Sequence, residues 1–599
     1  PGSFRMNQAH IVSGWTLPSP AKGDGMYRRV LAFDFDGTLA EDGAIPLLLQ
    51  AAMERLHTGG YALFVVTGRR FGEADLGPLE DVLSGIVWEN GAVLHHTTAN
   101  EVYLPFGQVD RRLVRAIEDA GVPLQYGRAI VTTQTPHDQT VWQVLNEWGG
   151  DATIVHNRGQ VGVIPPGAAK GAGLERLLSL CGFSPRNLVS FGDGEGDLSL
   201  LQLGETGVAV ADAVPSLRQV ADLVTEEAGP AGVLQALETY WLDGDAHQLP
   251  AQRARQIPLG KDEFGAPVSL PAAILADGNL GVFGDSGSGK SWVAGLLAEG
   301  MHTTGYQVLL IDPEGDFKGM RALPGFVALD VNSESVPPPA MSATLLEAVN
   351  MSVVLDLSAY RVTQRDAYVA DLLRALHPLR ERKFRPHWIV LEEAQHFLSS
   401  NDSAVAAALQ PMLGAGGWAL VSYRPDRLAD EFLAALDLCI LTRLAESEAA
   451  RALRRTTNCA VGASVARIPR GFAWLCGQRV VRLRPNARRV PHIRHLYKYL
   501  DTPLPHYKRF QFRDDDGYLD VEAASLFEFL QCLRSLPTSS LVYHQRRGDF
   551  ARWAKKGLGD GILADHLGKL AQRSLAGEAL RRAVVQRVAT HYEELHAAR

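Results

Sequence analysis

A chain of 599 residues is longer than one hydrophobic core can organise, because cores stop growing near ~250–300 residues, so three or more domains are expected. Its 46% hydrophobic and 21% charged residues exclude a disordered or fibrous protein, and apolar runs such as Ile389–Leu391 and Leu438–Leu441 fall far short of the ~20 residues needed to cross a bilayer. A net charge of -8 excludes indiscriminate polyanion binding by the whole surface, yet the charge is uneven: Arg451–Leu500 holds twelve Arg or Lys and no Asp or Glu.

Residues 1–27 read as a tag and N-terminal extension, with Pro1–Arg5 resembling a cloning scar and no signal peptide evident. The five cysteines (Cys181, Cys439, Cys459, Cys476, Cys532) show neither CxxC nor zinc spacing, so a reducing cytoplasm is the expected compartment, without membrane association. From 28 to 240 the short apolar runs Val30–Phe35, Tyr61–Thr67, Asn187–Phe191 and Gly207–Val210 alternate with helical patterns, which predicts a parallel sheet with crossover helices. Residues 241–270 read as a linker. A second α/β series occupies 271–498, with strands expected at Leu280–Phe283, Tyr306–Ile311, Met351–Leu357, His387–Leu391, Trp418–Ser422 and Leu438–Leu441. From 499 to 599 the pattern turns mostly helical, with amphipathic stretches at Val521–Leu536 and Leu575–Ala598.

Asp34-Phe35-Asp36-Gly37-Thr38 follows the first apolar strand, so both carboxylates emerge at a strand's C-terminal edge, where α/β folds place ligands. Phosphoryl transfer to an aspartate needs this pair: Asp34 attacks phosphorus, while Asp36 protonates the leaving oxygen and then activates water. Neighbouring carboxylates repel one another and a phosphate unless a divalent cation shares the site. Gly192-Asp193-Gly194-Glu195-Gly196-Asp197, after another strand, supplies the further acids, so Asp34, Asp36, Asp193 and Asp197 form the expected Mg²⁺ set. Thr67, in Thr67-Gly68-Arg69, offers a hydroxyl to phosphate oxygens, and Lys170 offers a cation to an aspartyl-phosphate.

These four pieces, in this order, resemble the motifs of the haloacid-dehalogenase superfamily, and Trp88-Glu89-Asn90-Gly91-Ala92 resembles its Cof-like branch. The resemblance implies a Mg²⁺-dependent phosphatase of a small phosphorylated substrate, on a Rossmann-like α/β domain with an inserted α+β cap at about 71–164. Gly196 departs from the Asn usual in that branch.

Gly284-Asp285-Ser286-Gly287-Ser288-Gly289-Lys290-Ser291 matches G-x-x-x-x-G-K-[ST] between an expected strand and helix. Its backbone N–H groups would cradle the β-phosphate of ATP, with Gly284, Gly287 and Gly289 allowing close approach, Lys290 bridging β- and γ-phosphates, and Ser291 on Mg²⁺. Ile389-Val390-Leu391-Glu392-Glu393 ends a strand in two acids, Glu392 for the Mg²⁺ shell and Glu393 to polarise water. Together with Ile311-Asp312-Pro313-Glu314-Gly315-Asp316-Phe317, Val353–Ser358 and Val421-Ser422-Tyr423-Arg424-Pro425, these residues look like a RecA-like ATPase domain of the HerA/FtsK type. That resemblance implies a ring, a homo-oligomer and specifically a hexamer, with Arg424 and Arg443 as candidates to reach a neighbouring subunit's nucleotide. Tyr423 replaces the Gln such rings carry as a γ-phosphate sensor, which puts hydrolysis in question and leaves open a nucleotide-dependent scaffold.

The segment Arg451–Leu500 could track a phosphate backbone or face another subunit. Tyr543–Phe550 and Trp553 form a second basic and aromatic stretch, read as part of a helical interaction or oligomerisation module. Two functions follow: a nucleic-acid-directed machine that moves or processes DNA, as in repair or phage defence, or a metabolic phosphatase of sugar phosphates or nucleotides whose ATPase part assembles or regulates the oligomer.

Overall fold

The run Val30–Asp34 is a fully buried strand at the centre of a parallel sheet in the computed structural model, which describes residues 29–597 except 158, 243–254, 331–336, 359, 361, 400–402, 446, 458, 460–462, 478, 491–499, 501–503, 505–507, 559 and 574. The expected extension 1–27 and part of the expected linker lie outside the described residues. The sheet has eight strands in the order Leu223–Val224, Thr206–Ala209, Leu188–Gly192, Val30–Asp34, Ala62–Val66, Gly85–Trp88, Val93–His96 and Glu101–Tyr103. Neighbours are parallel as far as Gly85–Trp88, and the last two strands add antiparallel. Parallel strands covered by helices on both faces read as unbroken apolar runs, which is how VLAFD and ALFVV appear in the sequence.

The cap is narrower than 71–164. Gly85–Trp88, Val93–His96 and Glu101–Tyr103 extend the core sheet, and the separate body comprises helices Arg111–Asp119 and Asp138–Trp148 with a four-stranded sheet ordered Gln125–Tyr126, Val131–Gln134, Gln160–Ile164, Thr153–Asn157. It has its own apolar cluster, including Leu113, Ile117, Val141 and Val163.

The second sheet has eleven strands, ordered Pro267–Pro271, Gln256–Asp262, Val480–Pro485, Ala473–Cys476, Leu438–Leu441, Asn279–Phe283, Trp418–Ser422, Trp388–Leu391, Val308–Asp312, Ser352–Asp356 and Phe326–Asp330. Residues 256–270 of the expected linker are therefore sheet. Gly260 pairs with Pro485, and a Cβ at Gly260 would stand 2.1 Å from the Arg484 carbonyl oxygen. The C-terminal region is a hairpin, Phe510–Asp514 and Gly517–Ala523, packed with helices Leu526–Ser535, Thr538–Arg547, Asp549–Trp553, Gly561–Ala571 and Gly577–Ala597. The expected helix Val521–Leu536 is thus strand as far as Ala523. Ser525 then starts the helix, its hydroxyl accepting the Glu528 N–H.

The two large domains dock through the loops that precede their catalytic strands. After helix Val362–Lys383, Phe384 inserts among Leu177, Leu178, Phe183 and Leu188 of the first domain. Lys383 Nζ donates to the Cys181 carbonyl (2.7 Å) and Arg385 to the Gly182 carbonyl (3.0 Å). Asn187 Nδ2 donates to the Phe384 carbonyl at 3.3 Å. His387 Nδ1 accepts the Gln307 N–H at 2.9 Å, so its proton sits on Nε2, 3.2 Å from Asn187 Oδ1.

Burial, reinforced by the charges of Arg385, Arg186 and Arg380, holds the His387 imidazole well below its ordinary 6.5. The folded chain therefore binds fewer protons than the unfolded one: stability present above the ordinary imidazole value is lost as pH falls below it, by up to about 1.4 kcal/mol per pH unit. Unfolding compared at about pH 7 and about pH 5.5 is expected to show that loss, with a shallower acid limb in His387→Gln. Identical acid limbs in the two proteins would exclude His387 as the titrating group.

Candidate active sites

Parallel pairing brings the ends of three strands of the first sheet together, and the acids converge there. Lys170 is 7% exposed and donates to Asp34 Oδ1 (2.5 Å) and to Asp197 Oδ1 (2.7 Å). Asp197 Oδ2 accepts the N–H groups of Asp193 and Gly194 (3.1 and 3.0 Å), fixing the loop that carries Asp193. A side chain at Gly192 would put its Cβ 2.6 Å from that of Asp197, so this approach requires glycine. Thr67 is fully buried beside the same sheet edge, and its hydroxyl accepts the Arg69 N–H.

Carboxylate oxygens of Asp34, Asp193 and Asp197 lie within 4.8 Å of one another. Burial first, and then the Asp197 charge, push the Asp34 carboxyl well above its usual range despite Lys170. Burial alone would lower the Lys170 ammonium, but the Asp197 and Asp34 carboxylates outweigh it and hold the group firmly protonated. Three acids against one ammonium leave the site short of positive charge, and an all-oxygen donor set fits a hard divalent cation such as Mg²⁺.

The Asp36 side chain is not part of that cluster. Arg69 grips it with Nε (3.1 and 3.0 Å) and Nη2 (2.6 Å), a bidentate geometry that aims the carboxylate toward the cleft between core and cap. This cleft, ≈ 520 Å³, is lined by Asp36, Arg69, Arg70 and Glu73 of the core and by Thr132 and Gln160 of the cap. Spacing put Asp36 in the expected metal set because it does not show which way a side chain turns. It passed over Arg69, which stands two residues beyond Thr67 in the same phrase.

Glu89 is the other residue the sequence left without a role. It is fully buried at φ 55°, and its carboxylate accepts N–H groups from Phe71 (3.2 Å), Arg128 (2.8 Å), Ala129 (2.8 Å) and Ile130 (3.2 Å). One core side chain thus clamps the approach to the cap. The adjacent Gly91 has φ 100°, and a Cβ there would lie 2.0 Å from the Ala169 carbonyl oxygen, so this turn also positions the loop entering Lys170.

In the second domain Gly284–Ser291 links strand Asn279–Phe283 to helix Lys290–Thr303, with Gly287 at φ 72° and Gly289 at φ 110°. A Cβ at Gly284 would sit 1.9 Å from Thr442 Oγ1. Ser291 Oγ donates to Glu392 Oε1 at 2.7 Å, joining the loop to the acid-bearing strand. Glu392 is 1% exposed, and burial followed by the Glu393 charge pushes its carboxyl well up. Glu393, at φ 51°, accepts a short hydrogen bond from Gln395, whose Oε1 accepts from Ser422 Oγ (2.5 Å). Tyr423 places its ring 5.8 Å from Lys290 Nζ. Gln395 therefore supplies an amide beside Glu393, where Tyr423 cannot.

Arg424 is paired with Asp426 of its own chain (2.7 Å), and Arg443 Nε lies 3.6 Å from Asp285 Oδ2 in its own phosphate-binding loop. The basic segment 451–500 is also partly consumed internally. Arg488 and Glu299 form a buried pair at 2.8 Å, Arg482 meets Glu263 at 3.4 Å and Arg455 meets Asp430 at 3.1 Å, while 491–499 lie outside the described residues.

Residues 122–237 match the family model of haloacid dehalogenase-like hydrolases, and residues 259–338 match that of the central domain of helicase HerA. The phosphoglycolate phosphatase of Sulfurisphaera tokodaii is 26% identical over 216 residues, covering 35% of this chain and 93% of the relative. That of Methanothermobacter thermautotrophicus is 29% identical over 224 residues, covering 35% and 98%. A solved haloacid dehalogenase-like hydrolase from Bacteroides thetaiotaomicron aligns with TM-score 0.32 and 18% identity, covering 35% of this chain and 98% of its own. The N-terminal domain is thus a hydrolase domain of the haloacid-dehalogenase superfamily, joined to a domain similar to the HerA central domain. Among the described residues, no helix is long and apolar enough to cross a membrane.

Replacing the charged acceptor in the cap clamp tests its role. Glu89→Gln presents an NH₂ to four converging donors, and thermal unfolding is expected to show a loss of about 1–3 kcal/mol. Limited proteolysis should then cut within 111–164 sooner than in the parent; an unchanged pattern would mean that the cap is held elsewhere.

Proposed function

We propose that the chain is a bifunctional hydrolase: a Mg²⁺-dependent phosphatase of small phosphate monoesters and a HerA-like ATPase that assembles as a homo-oligomer, a hexamer, and acts on nucleic acid. The observation that carries the phosphatase reading is Lys170 bridging Asp34 and Asp197 beside Asp193. The match to phosphoglycolate phosphatases over 93% of one relative's length supports it.

Asp34 attacks phosphorus, and the bond to the leaving oxygen breaks as Asp36 gives that oxygen a proton. Asp36, kept in place by Arg69, then takes a proton from the water that cleaves the aspartyl-phosphate, releasing inorganic phosphate and restoring the Asp34 carboxylate and the protonated Asp36. Lys170 favours the anionic form of Asp34 against burial and the Asp197 charge, and offsets charge on the phosphoryl oxygens. Asp34 and Asp193, with Asp197 behind them, would hold Mg²⁺, which would supply the remaining positive charge. Arg69 and Arg70, paired with Asp36 and Glu73, put two guanidinium groups in the cleft that a second anionic group of a monoester, as in phosphoglycolate, would meet.

In the second domain Lys290 and the loop N–H groups would hold the ATP phosphates, Ser291 with Glu392 its Mg²⁺, and Glu393 the attacking water, oriented with Gln395. Arg443, half-exposed beside the loop, and Arg424 would leave their own acids, Asp285 and Asp426, to meet a neighbouring protomer's nucleotide. The helicase-type family match supports a nucleic-acid substrate. The acid partners of Arg455, Arg482 and Arg488 support the alternative, a metabolic phosphatase with a regulatory ATPase domain.

Phosphate release from phosphoglycolate and a panel of sugar phosphates and nucleotides is expected to require Mg²⁺, to stop on chelation and to fall to background in Asp34→Asn. Release that persists in Asp34→Asn would exclude the aspartyl-phosphate route. ATP turnover is expected to vanish in Lys290→Ala while phosphatase activity survives. Stimulation of turnover by single- or double-stranded DNA, fading with salt, favours the nucleic-acid reading; turnover indifferent to DNA favours the metabolic one.

A further inference from the structure

The C-terminal domain carries a cationic surface of its own, separate from the segment 451–500. A cleft of ≈ 420 Å³ opens between the hairpin and helices Thr538–Arg547 and Asp549–Trp553. Lys508, Arg509, Arg513, Arg547, Arg552 and Lys556 line it, against one acid, Asp549. The domain as a whole does not require this: residues 501–599 hold 15 Arg or Lys against 13 Asp or Glu, so the cations are gathered on one face.

The cleft is also built rigidly. His544, 3% exposed, accepts the Arg513 N–H at its Nε2 (2.8 Å) and meets Asp549 through Nδ1 (2.8 Å). Asp549 in turn anchors Arg552 at 2.7 Å, and Trp553 donates to the Lys508 carbonyl at 2.9 Å. Two guanidinium groups lie against tyrosines, Arg513 3.2 Å from the ring of Tyr518, which is 63% exposed, and Arg547 5.3 Å from that of Tyr543. Cations spaced along a groove with accessible aromatic faces are the two elements that hold a single strand, phosphates on the cations and bases on the rings. An acidic peptide would satisfy the cations but offers no planar group to the tyrosines.

We infer that this cleft binds single-stranded nucleic acid by its backbone, with Tyr543 of its wall as a stacking face and the exposed Tyr518, held against Arg513, beside it. The inference rests on the nucleic-acid part of the function proposed above, but its test reads binding and not turnover. Fluorescence anisotropy of a labelled single-stranded oligonucleotide with the full chain is expected to show salt-dependent binding. Arg547→Glu with Lys556→Glu should weaken it at least tenfold and lower the salt slope by about 1.4, since each phosphate contact contributes ~0.7 on single strands. Phosphatase and basal ATPase rates should stay unchanged. Lys556→Glu alone, at an exposed position, keeps the test decisive if the double variant misfolds. Binding lost instead through Arg482→Glu with Arg484→Glu, equal competition by a poly-glutamate peptide or by a mononucleotide, or no binding at low salt would each overturn the inference. Strand binding without ATPase stimulation would leave it standing and sink the translocase reading.

Discussion

The contact between Asn187 and the segment Lys383–His387 is the constraint on which the rest of the molecule depends. Asn187 immediately precedes strand Leu188–Gly192, which ends at the Asp193 loop, and His387 immediately precedes strand Trp388–Leu391, which ends at Glu392 and Glu393. Both side chains are buried and hydrogen-bonded to each other, so neither has water as an alternative partner. A displacement of one domain against the other must break this pair, extract Phe384 from the core of the first domain and strand the Lys383 and Arg385 donors. The two acid-bearing strands are consequently held in a fixed relation at the ends away from their acids.

The two sites meet the same physical demand in parallel ways. Each buries carboxylates at the C-terminal ends of parallel strands, and each sets a lysine from a following helix close by: Lys170 between Asp34 and Asp197, Lys290 at the start of the helix that also presents Ser291 to Glu392. In both, burial raises a key carboxyl, Asp34 or Glu392, in the absence of a cation, and oxygen donors stand where a hard divalent ion relieves the repulsion. Their difference lies in access. The cleft of the first domain is roofed by a separate body clamped through Glu89, whereas the loop Gly284–Ser291 is flanked by Arg443.

Much of this was legible in the sequence because the signals are local. VLAFD and WIVL are apolar runs of strand length, and an acid pair or a G-x-x-x-x-G-K-S phrase directly after such a run lands at a sheet's C-terminal edge wherever the strand sits. The cap boundary failed because Gly85–Tyr103 reads as a set of short strands in either body, and only its pairing with Ala62–Val66 assigns it to the core. Val521–Leu536 failed because helix and strand periods overlap over so few residues, and the turn at Gly517 decides for a hairpin.

The sequence by itself therefore determined the identity and order of the candidate groups: Asp34, Asp36, Thr67, Lys170, Asp193 and Asp197 for one site, and Gly284 to Ser291 with Glu392 and Glu393 for the other. The tertiary structure alone decided where side chains turn and what they meet: that Asp36 faces Arg69, that Arg488 is spent on Glu299, that Gln395 stands beside Glu393, and that His387 locks onto Asn187. The physical reason is range. Backbone preference and apolar period act over a few neighbours, but the partner of a buried charge or amide is chosen by packing between residues as far apart as Asn187 and His387, and no local pattern records that choice.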